Sequence, residues 1–294
     1  MESYLVITND GAGTADLESL HRALAVLTEH VSVEVTATSD PGELDGVLQR
    51  AGSRRIVVAG GDGSLHAVVA ALHRRNDLSD AVIGLLPLGT GNDFARGTDI
   101  PLDPVEAART LLAGEVRPVD LLVDCTGKIV VNGVHIGVGA DAGRDSATWK
   151  RWLGRIGYPI AALLAGFKAR GIHLCVEVDD EIIVDLDRPV HQVAIGNGPN
   201  VGGGTKLTPD ASPEDGFANV IVWFATGPWA KIGYMLHLRR GLHHHRYDVS
   251  ATPAQTVRVT GQKFYCNADG EVYGPETRRQ WRIEPKAFQM ILRR

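Results

Sequence analysis

Two glycine-rich loops contain the residue types that could carry out chemistry. The first, GGDGS at residues 60–64, follows a β-branched hydrophobic run and precedes apolar residues at helical spacing. Glycines at such a junction let a ligand approach the backbone, and the start of a helix offers free N–H groups that suit phosphate. Asp62 lies at the mouth of this anion site, where its carboxylate needs a Mg²⁺ ion or a transferable proton. The alternative is a tight turn in which Asp62 caps the helix.

The second loop, LPLGTGNDFARG at residues 86–97, also follows a strand. It combines glycines with a hydroxyl at Thr90, an amide at Asn92 and a carboxylate at Asp93. Two such loops at the carboxyl ends of strands in one parallel sheet converge on the same crevice, so they predict one shared ligand site. The loops match neither the dinucleotide pattern GxGxxG nor the Walker patterns GxxxxGKS and GxxxxGKT.

Alternating strands and helices in the first third of the chain position these loops. The predicted strands are residues 4–8, 31–38, 55–59 and 81–88, and the predicted helices are residues 15–29, 45–51 and 104–112. From residue 119 onward short alternating strands predominate, interrupted by one helical region at 156–169. The predicted fold class is α/β plus β: an N-terminal three-layer α/β domain with a parallel sheet over residues 1–120 and a C-terminal β-sandwich domain over 121–284. We expect residues 285–294 to return to the first domain.

Composition and charge exclude several classes of protein. The 294 residues carry a net charge of −5 at pH 7, so the chain lacks the overall basic surface that nucleic-acid binding favours. The three cysteines are odd in number and far apart, which argues against a disulfide framework and suits a reducing cytoplasm. The longest mostly apolar run, residues 156–167, is shorter than the about 20 residues that a bilayer span needs. We expect a cytoplasmic protein whose membrane contact is peripheral, at the inner face.

The sequence resembles the diacylglycerol kinase catalytic-domain family, which includes bacterial diacylglycerol kinases and sphingosine and ceramide kinases. Its motifs occur in order along almost the whole chain: TNDGAG at 8–13, GGDGS, PLGTGNDFAR, VNGVHIGVGADA at 131–142, the run from Gly196 to Val222, and ADGE at 268–271. The resemblance implies an NAD-kinase-like superfamily fold and an ATP- and Mg²⁺-dependent kinase. The implied partner is a lipid substrate, most simply diacylglycerol. A homodimer is compatible with the sequence, which does not fix the oligomeric state.

The resemblance also implies which residues bind ATP, mostly through backbone and small polar groups. They are Asn9, Gly60, Gly61, Asp62, Gly63, Ser64, Gly89, Thr90, Asn92 and Asp93. For Asn9 the alternative is a plain turn residue after a strand. The glycines at 202–204 are equally consistent with a tight turn beside the ligand.

By the same resemblance, Asp269 in ADGE is the general base that takes the proton from the lipid hydroxyl, with Glu271 and Asp62 as further catalytic carboxylates. The alternative is a solvated hairpin, since Asp-Gly is a common turn dipeptide. A structural Mg²⁺ is implied at Asp215 and the main-chain carbonyl near Phe217, to which Asp210 could contribute. A turn between strands is the competing interpretation there.

Several positions depart from the family pattern. Asp10 replaces a proline, Ser64 replaces a threonine but keeps the hydroxyl, and His66 and Ala67 stand where Asn-Glu is common. The missing glutamate puts in doubt any metal or nucleotide contact that the family makes from that helix.

Two further segments are open to a functional and a plain interpretation. The segment from Trp149 to Gly171 mixes tryptophans and basic residues with an apolar helix, which suits either a core helix or a headgroup interface. The triplet from His243 to His245 is predicted to be a solvated loop, because adjacent residues point in different directions and make poor joint metal ligands.

The competing functions for the whole protein are a sphingoid, ceramide or other lipid kinase, then an NAD kinase, then a catalytically weak nucleotide-binding regulator.

Overall fold

The computed structural model describes residues 3–9, 14–137, 171–224 and 227–294. Its helices are α1 (Thr14–Thr28), α2 (Pro41–Gln49), α3 (Asp62–Arg74), α4 (Asp93–Gly97), α5 (Pro104–Ala113) and α6 (Pro228–Leu238), with short 3₁₀ turns at Leu78–Asp80 and His243–His245. Its strands are β1 (Ser3–Asn9), β2 (Ser32–Thr38), β3 (Arg55–Gly60), β4 (Val82–Pro87), β5 (Glu115–Asp124), β6 (Ile129–Val130), β7 (Gly133–Gly137), β8 (Leu174–Val178), β9 (Glu181–Val184), β10 (Val190–Gly196), β11 (Asn200–Val201), β12 (Thr205–Lys206), β13 (Ala218–Phe224), β14 (Val249–Ala254), β15 (Thr256–Ala268) and β16 (Glu271–Leu292). Among these described helices, none is long and apolar enough to cross a membrane.

The N-terminal part is a parallel sheet with helices on both faces. Strands β2, β1, β3 and β4 lie side by side in that order, all parallel. Helix α1 packs with α5 and helix α2 with α3, and the β1 side chains from Tyr4 to Ile7 are buried. A strand buried on both faces is what a parallel sheet between two helix layers requires. The predicted three-layer α/β fold is confirmed.

The C-terminal part is antiparallel, and its strands enclose a second hydrophobic core. Strands β14, β13, β10, β7 and β15 are neighbours in that order. Strand β15 pairs with β8 through residues 257–261 and with β7 through residues 266–268, and its register shifts between Thr260 and Phe264. A strand that bends at such an irregularity lets one chain contribute to two packed sheets, so the β-sandwich prediction is also confirmed.

Strand β16 connects the two parts of the molecule. Its first half pairs with β15, and its second half pairs antiparallel with β5. Near its end, Gln289 and Met290 pair in parallel with Val82 and Ile83 of β4. The chain terminus therefore lies in the N-terminal sheet, while domain boundaries at residues 120 and 284 stay a prediction.

Some elements differ from the sequence-based prediction. Helix α2 begins at Pro41 rather than at Asp45, because the Asp40 side chain accepts the N–H groups of Gly42 and Glu43 and caps the helix there. The short helix α4 and helix α6 were not predicted. The helical region expected at 156–169 lies outside the described residues.

Replacing Met290 with alanine tests the position of β16. Met290 is fully buried between β4 and β5, so Met290→Ala should lower the free energy of unfolding by about 2–5 kcal/mol. Arg282→Ala, at an exposed position of the same strand, is the matched control and should have little effect. Urea denaturation of both variants measures the difference, and equal midpoints would contradict this packing.

Candidate active site

The first glycine loop leaves space above the start of α3. Strands β1, β3 and β4 end at one edge of the sheet, at Asn9, Gly60 and Pro87. No side chain caps the N-terminus of α3, and a Cβ built on Gly63 would have no atom within 4 Å. The N–H groups of Ser64 and Leu65 donate to the Gly61 carbonyl, so the first-turn amides that a bound anion could use are those of Asp62 and Gly63.

The two loops touch each other through glycine backbone. A Cβ on Gly89 would lie 2.5 Å from the Cα of Gly61, a distance that real Cβ atoms do not reach. The Ser64 side chain likewise covers Gly60, where an added Cβ would lie 2.4 Å from its Oγ. Glycine is therefore required at Gly60 and Gly89 by packing within the protein, independently of any ligand.

Asn92 uses its side chain inside the second loop. Its backbone is left-handed, with φ of 52°. Its Oδ1 accepts the N–H of Gly89 at 3.1 Å, and its Nδ2 donates to the Gly89 carbonyl at 2.7 Å. Both ends of the amide are thereby engaged in holding the loop, while Thr90 beside it is exposed. Direct contact of either residue with a nucleotide stays a prediction.

The Asp62 carboxylate faces the second loop. Its oxygens accept the backbone N–H groups of Asp93 at 3.0 Å and Phe94 at 2.9 Å, which open helix α4. Asn92, the residue before α4, gives that helix no side-chain cap of its own. Asp62 is the first residue of α3, but its side chain caps α4. This capping role explains a carboxylate at this position without a metal ion or a mobile proton.

Asp93 continues this arrangement toward the second half of the chain. Its carboxylate accepts the N–H groups of Gly203 at 3.0 Å and Gly204 at 2.7 Å. Both glycines have positive φ, 89° and 105°, so the GGG run is the kind of turn that only glycine adopts easily. Burial raises the pKa of Asp93 and the nearby charge of Asp62 adds to it, outweighing the opposing hydrogen bonds from the two glycines.

Asp269 lies deeper than a catalytic base at a surface would. Its side chain is 2% exposed, and its oxygens accept the N–H groups of Val131 at 2.6 Å, Asn132 at 2.9 Å and Gly133 at 3.1 Å. These bonds fasten the β15–β16 hairpin to the segment between β6 and β7. A fourth contact comes from the imidazole of His66.

His66 is the member of this pair that reaches solvent. Its Nδ1 lies 2.9 Å from Asp269 Oδ2, and its side chain is 21% exposed. Burial lowers the pKa of His66, but the hydrogen bond and charge of Asp269, with the charge of Glu271, raise it above the ordinary value overall. Its Nε2 makes no hydrogen bond within the described part of the chain. Sequence analysis identified His66 only as a departure from the family pattern. Its contact with Asp269 was not predicted, because the two residues are 203 positions apart in the chain.

The remaining predicted residues are more exposed. Asn9 ends β1 at the surface, and Glu271 is exposed with its carboxylate accepting the Tyr273 hydroxyl. Glu271 acts on the pair through its charge, which raises the pKa of His66.

The predicted metal residues are not all together. Asp215 accepts the Phe217 N–H at 2.9 Å, and burial together with the charge of Asp120 raises its pKa against that hydrogen bond. Asp210 is exposed and instead lies 3.6 Å from His244. Within the described residues, no group of three or more His, Cys, Asp or Glu side chains has the arrangement of a metal site. Asp215 and Asp120 form a pair of neighbouring carboxylates. Mg²⁺ in proteins is often bound by one or two carboxylates together with water.

The histidine triplet is not a solvated loop, so that prediction was wrong. His243 is fully buried, and its Nε2 lies 2.9 Å from the Leu207 carbonyl. Burial lowers its pKa to about 4, so the ring is neutral and forms part of the core near Tyr234. The 3₁₀ turn directs only His245 outward. The segment from Trp149 to Trp152 lies outside the described residues.

Comparisons with known proteins identify the family of both parts of the chain. Residues 3–123 match the diacylglycerol kinase catalytic domain, and residues 132–292 match the YegS C-terminal NAD kinase beta sandwich-like domain. A protein named probable lipid kinase YegS-like, from Xanthomonas euvesicatoria pv. vesicatoria, is 31% identical over 98% of this chain and 96% of its own length. Another of that name, from Xanthomonas campestris pv. campestris, is 30% identical over 94% and 92%.

A solved structure has the same fold. The crystal structure of a putative diacylglycerol kinase from Bacillus anthracis superposes with a TM-score of 0.81, covering 99% of this chain and 95% of that one at 24% identity. The resemblance that the motifs indicated, including the NAD-kinase-like second domain, is therefore confirmed across the full length. This chain belongs to the YegS-like family of proteins with a diacylglycerol kinase catalytic domain.

Proposed function

We propose that this protein is an ATP- and Mg²⁺-dependent lipid kinase that phosphorylates the hydroxyl group of diacylglycerol to give phosphatidic acid. The observation that carries the proposal is the open, uncapped start of α3 at Gly63, beside a second glycine loop, in a chain whose relatives are named probable lipid kinases. ATP is a cytoplasmic donor and diacylglycerol a membrane lipid, so we place the reaction at the inner face of the membrane.

The loops suit the triphosphate of ATP, which supplies the phosphoryl group when bound. Space above Gly63 admits an anion to the N-terminal amides of α3, a helix of 13 residues. The Asp62 oxygens are turned toward the α4 amides, whose N–H groups partly offset the charge of that carboxylate. The residues that we propose around the nucleotide are those of the two loops, Gly60, Gly61, Asp62, Gly63, Ser64, Gly89, Thr90, Asn92 and Asp93, together with Asn9.

Asp215 is the residue that we propose for a structural Mg²⁺. Burial and, to a smaller extent, the charge of Asp120 raise the pKa of Asp215, and a divalent cation would relieve the repulsion between the two carboxylates. Both oxygens of Asp120 already accept backbone N–H groups, of Lys286 and Gly216, so Asp120 would act mainly through its charge. The carbonyl of Phe217 could complete the site, and we leave out Asp210 because it contacts His244. Magnesium at the phosphates neutralises their charge during transfer.

The proton of the lipid hydroxyl needs an acceptor, and His66 suits that role better than Asp269 alone. Three backbone N–H groups and an imidazole surround the Asp269 carboxylate, so it would have to break a bond to receive a proton. Asp269 holds His66 through Nδ1, which leaves Nε2 as the free basic nitrogen. A carboxylate that orients an imidazole and stabilises its protonated form is an established way to build a general base. We therefore propose His66 as the base and Asp269 as the residue that positions it.

Phosphate transfer from radiolabelled ATP to a panel of acceptors tests the function. We expect label in phosphatidic acid when diacylglycerol is offered in mixed micelles with Mg²⁺, and loss of labelling when Mg²⁺ is chelated. Sphingosine and ceramide in the same micelles, and NAD in solution, are the competing acceptors. Label in NADP, or in no product, would reject the proposal.

Gly63→Val tests the nucleotide site without disturbing the protein. A side chain at Gly63 meets no protein atom but fills the space above the α3 amides, so we expect ATP affinity to fall by at least about tenfold while the fold persists. Gly46→Val in α2 is the matched control, because a Cβ there has its nearest neighbour at 3.6 Å and the residue is in a helix without a proposed ligand. Calorimetric titration with ATP measures both. Unchanged binding by a folded Gly63→Val variant would remove this loop from the site.

His66→Asn tests the proton acceptor. The neutral imidazole is the form that accepts a proton, so turnover should rise with pH through the raised pKa of His66, above 6.5. Burial lowers this pKa, and the charged groups that face His66 and raise it are Asp269 and Glu271. His66→Asn should lower kcat by about 10²–10⁴-fold and remove this pH dependence.

His73→Asn is the control for this experiment, because His73 is on the same helix and also lies beside a carboxylate, 3.7 Å from Glu284. It should keep both the rate and the pH profile.

The stability of the protein gives a second measurement of this pair. The His66–Asp269 ion pair contributes stability that is complete below pH 6.5 and is lost as the pH rises through the pKa of His66 in the folded protein. Thermal unfolding at a series of pH values therefore reports the pair independently of activity. If the His66→Asn enzyme shows the same rise of turnover with pH as the wild type, His66 is not the base and another group accepts the proton.

A further inference from the structure

Helix α6 presents an apolar stripe to solvent. Trp229 is 83% exposed, Leu236 is 56% exposed and Ile232 is 37% exposed. Their spacing, i, i+3 and i+7, sets the three side chains on one face of the helix. Tyr247, which follows the next turn of the chain, is 86% exposed. Scattered apolar residues on a surface need no explanation, but a stripe on one helix face does.

The opposite face of α6 fixes this orientation. Tyr234 is buried and stacks on Trp223 of β13 with ring centroids 3.8 Å apart. Lys231 is buried on the same side. The stripe is therefore held outward by the sandwich rather than being a face that failed to pack.

The charge around α6 is opposite to that of the whole chain. Residues 227–247 contain no Asp or Glu, although the protein has a net charge of −5. Four Lys or Arg residues lie in this segment, and two of them, Arg239 and Arg240, are exposed at the end of α6. Neither arginine is in an ion pair within the described residues. The apolar stripe thus ends at two arginines that form no ion pair with any residue in the described part of the chain.

We propose that these five residues, Trp229, Ile232, Leu236, Arg239 and Arg240, form a surface that docks on an anionic lipid bilayer. We call it the α6 surface. A tryptophan and aliphatic side chains beside arginines suit the boundary between acyl chains and anionic headgroups. The inference rests on the proposed function, because an acceptor that resides in the bilayer requires the enzyme to work there.

The turn that follows the α6 surface lies near the loop that contains the GGG run. A side chain added at Gly241, just after Arg240, would lie 3.4 Å from the Lys206 side chain. Lys206 follows the glycines whose N–H groups bind Asp93. Docking through α6 therefore brings a bilayer close to the loop that borders the crevice.

A second copy of the chain fits this surface less well. A symmetric dimer brings the same patch of both subunits together, and this patch has no acidic residue to pair with the two arginines.

Co-sedimentation with vesicles in the absence of ATP tests the proposal. We expect wild-type protein to bind vesicles of phosphatidylcholine with phosphatidylglycerol, and less so as salt is raised. Arg239→Gln with Arg240→Gln should weaken binding about 30-fold, at about 5-fold for each cation near an anionic surface. Trp229→Ser with Leu236→Ser should weaken it by at least about tenfold on both anionic vesicles and phosphatidylcholine alone. The control is Ile182→Ser with Leu186→Ser, which removes two exposed apolar residues, 65% and 50% exposed, from another surface.

The outcomes separate this inference from the proposed function. Equal vesicle binding by the wild type, the two α6 variants and the control would overturn the docking proposal. It would also be overturned if the wild type is a dimer in sedimentation equilibrium, only the Trp229/Leu236 variant loses the dimer, and vesicle binding is unchanged. Both α6 variants should keep wild-type rates on a water-soluble short-chain diacylglycerol and lose rate on vesicles. If wild type binds vesicles through α6 yet phosphorylates no lipid in either form, the proposed function fails and the docking surface stands.

Discussion

Aspartate carboxylates that accept backbone N–H groups from other loops hold the crevice together. Asp62 binds the amides that open α4, Asp93 binds those of the GGG run, and Asp269 binds three amides between β6 and β7. The Asn132 side chain, 3.4 Å from Asp62, joins the Asp269 group to the others. Because a charged acceptor on a backbone donor is stronger than a neutral pair and leaves little freedom to the loop, these bonds fix the positions of loops that have almost no side chains to pack.

A carboxylate used in this way is not free for chemistry, and this redistributes the roles among the site residues. Replacing Asp269 with asparagine would turn an amide N–H toward backbone N–H groups, so such a variant tests the loop as much as the reaction. The groups left free are the ones that the aspartates support: the imidazole of His66 and the backbone above Gly63. In the proposed site, the buried charges support the architecture, and less strongly held groups would face the ligand.

The fold was largely predictable from the sequence, because strand and helix periodicities are local. The buried runs of β1, β3 and β4 and the apolar face of α3 were predicted by pattern alone. The start of α2 was missed although Asp40 and Pro41 are a recognisable cap, and α4 was missed because its N-terminal amides are satisfied by Asp62 from another loop. The glycine loops were predicted from backbone freedom, but the partner of each aspartate was not, since these amides lie 31 residues away for Asp62 and 138 for Asp269.

The same long-range bonds relate the proposed membrane surface to the proposed phosphate site. From α6, Gly241 lies against Lys206, and the glycines just before Lys206 hold Asp93. The N–H of Asp93 in turn binds Asp62, at the first turn of α3. A bilayer at α6 and a phosphate at α3 would therefore lie at opposite ends of a series of neighbouring loops, of which those from the GGG run to Asp62 are joined by hydrogen bonds. The proposed transfer between a soluble donor and a membrane acceptor depends on holding the two in a fixed relation, which these neighbouring loops would provide.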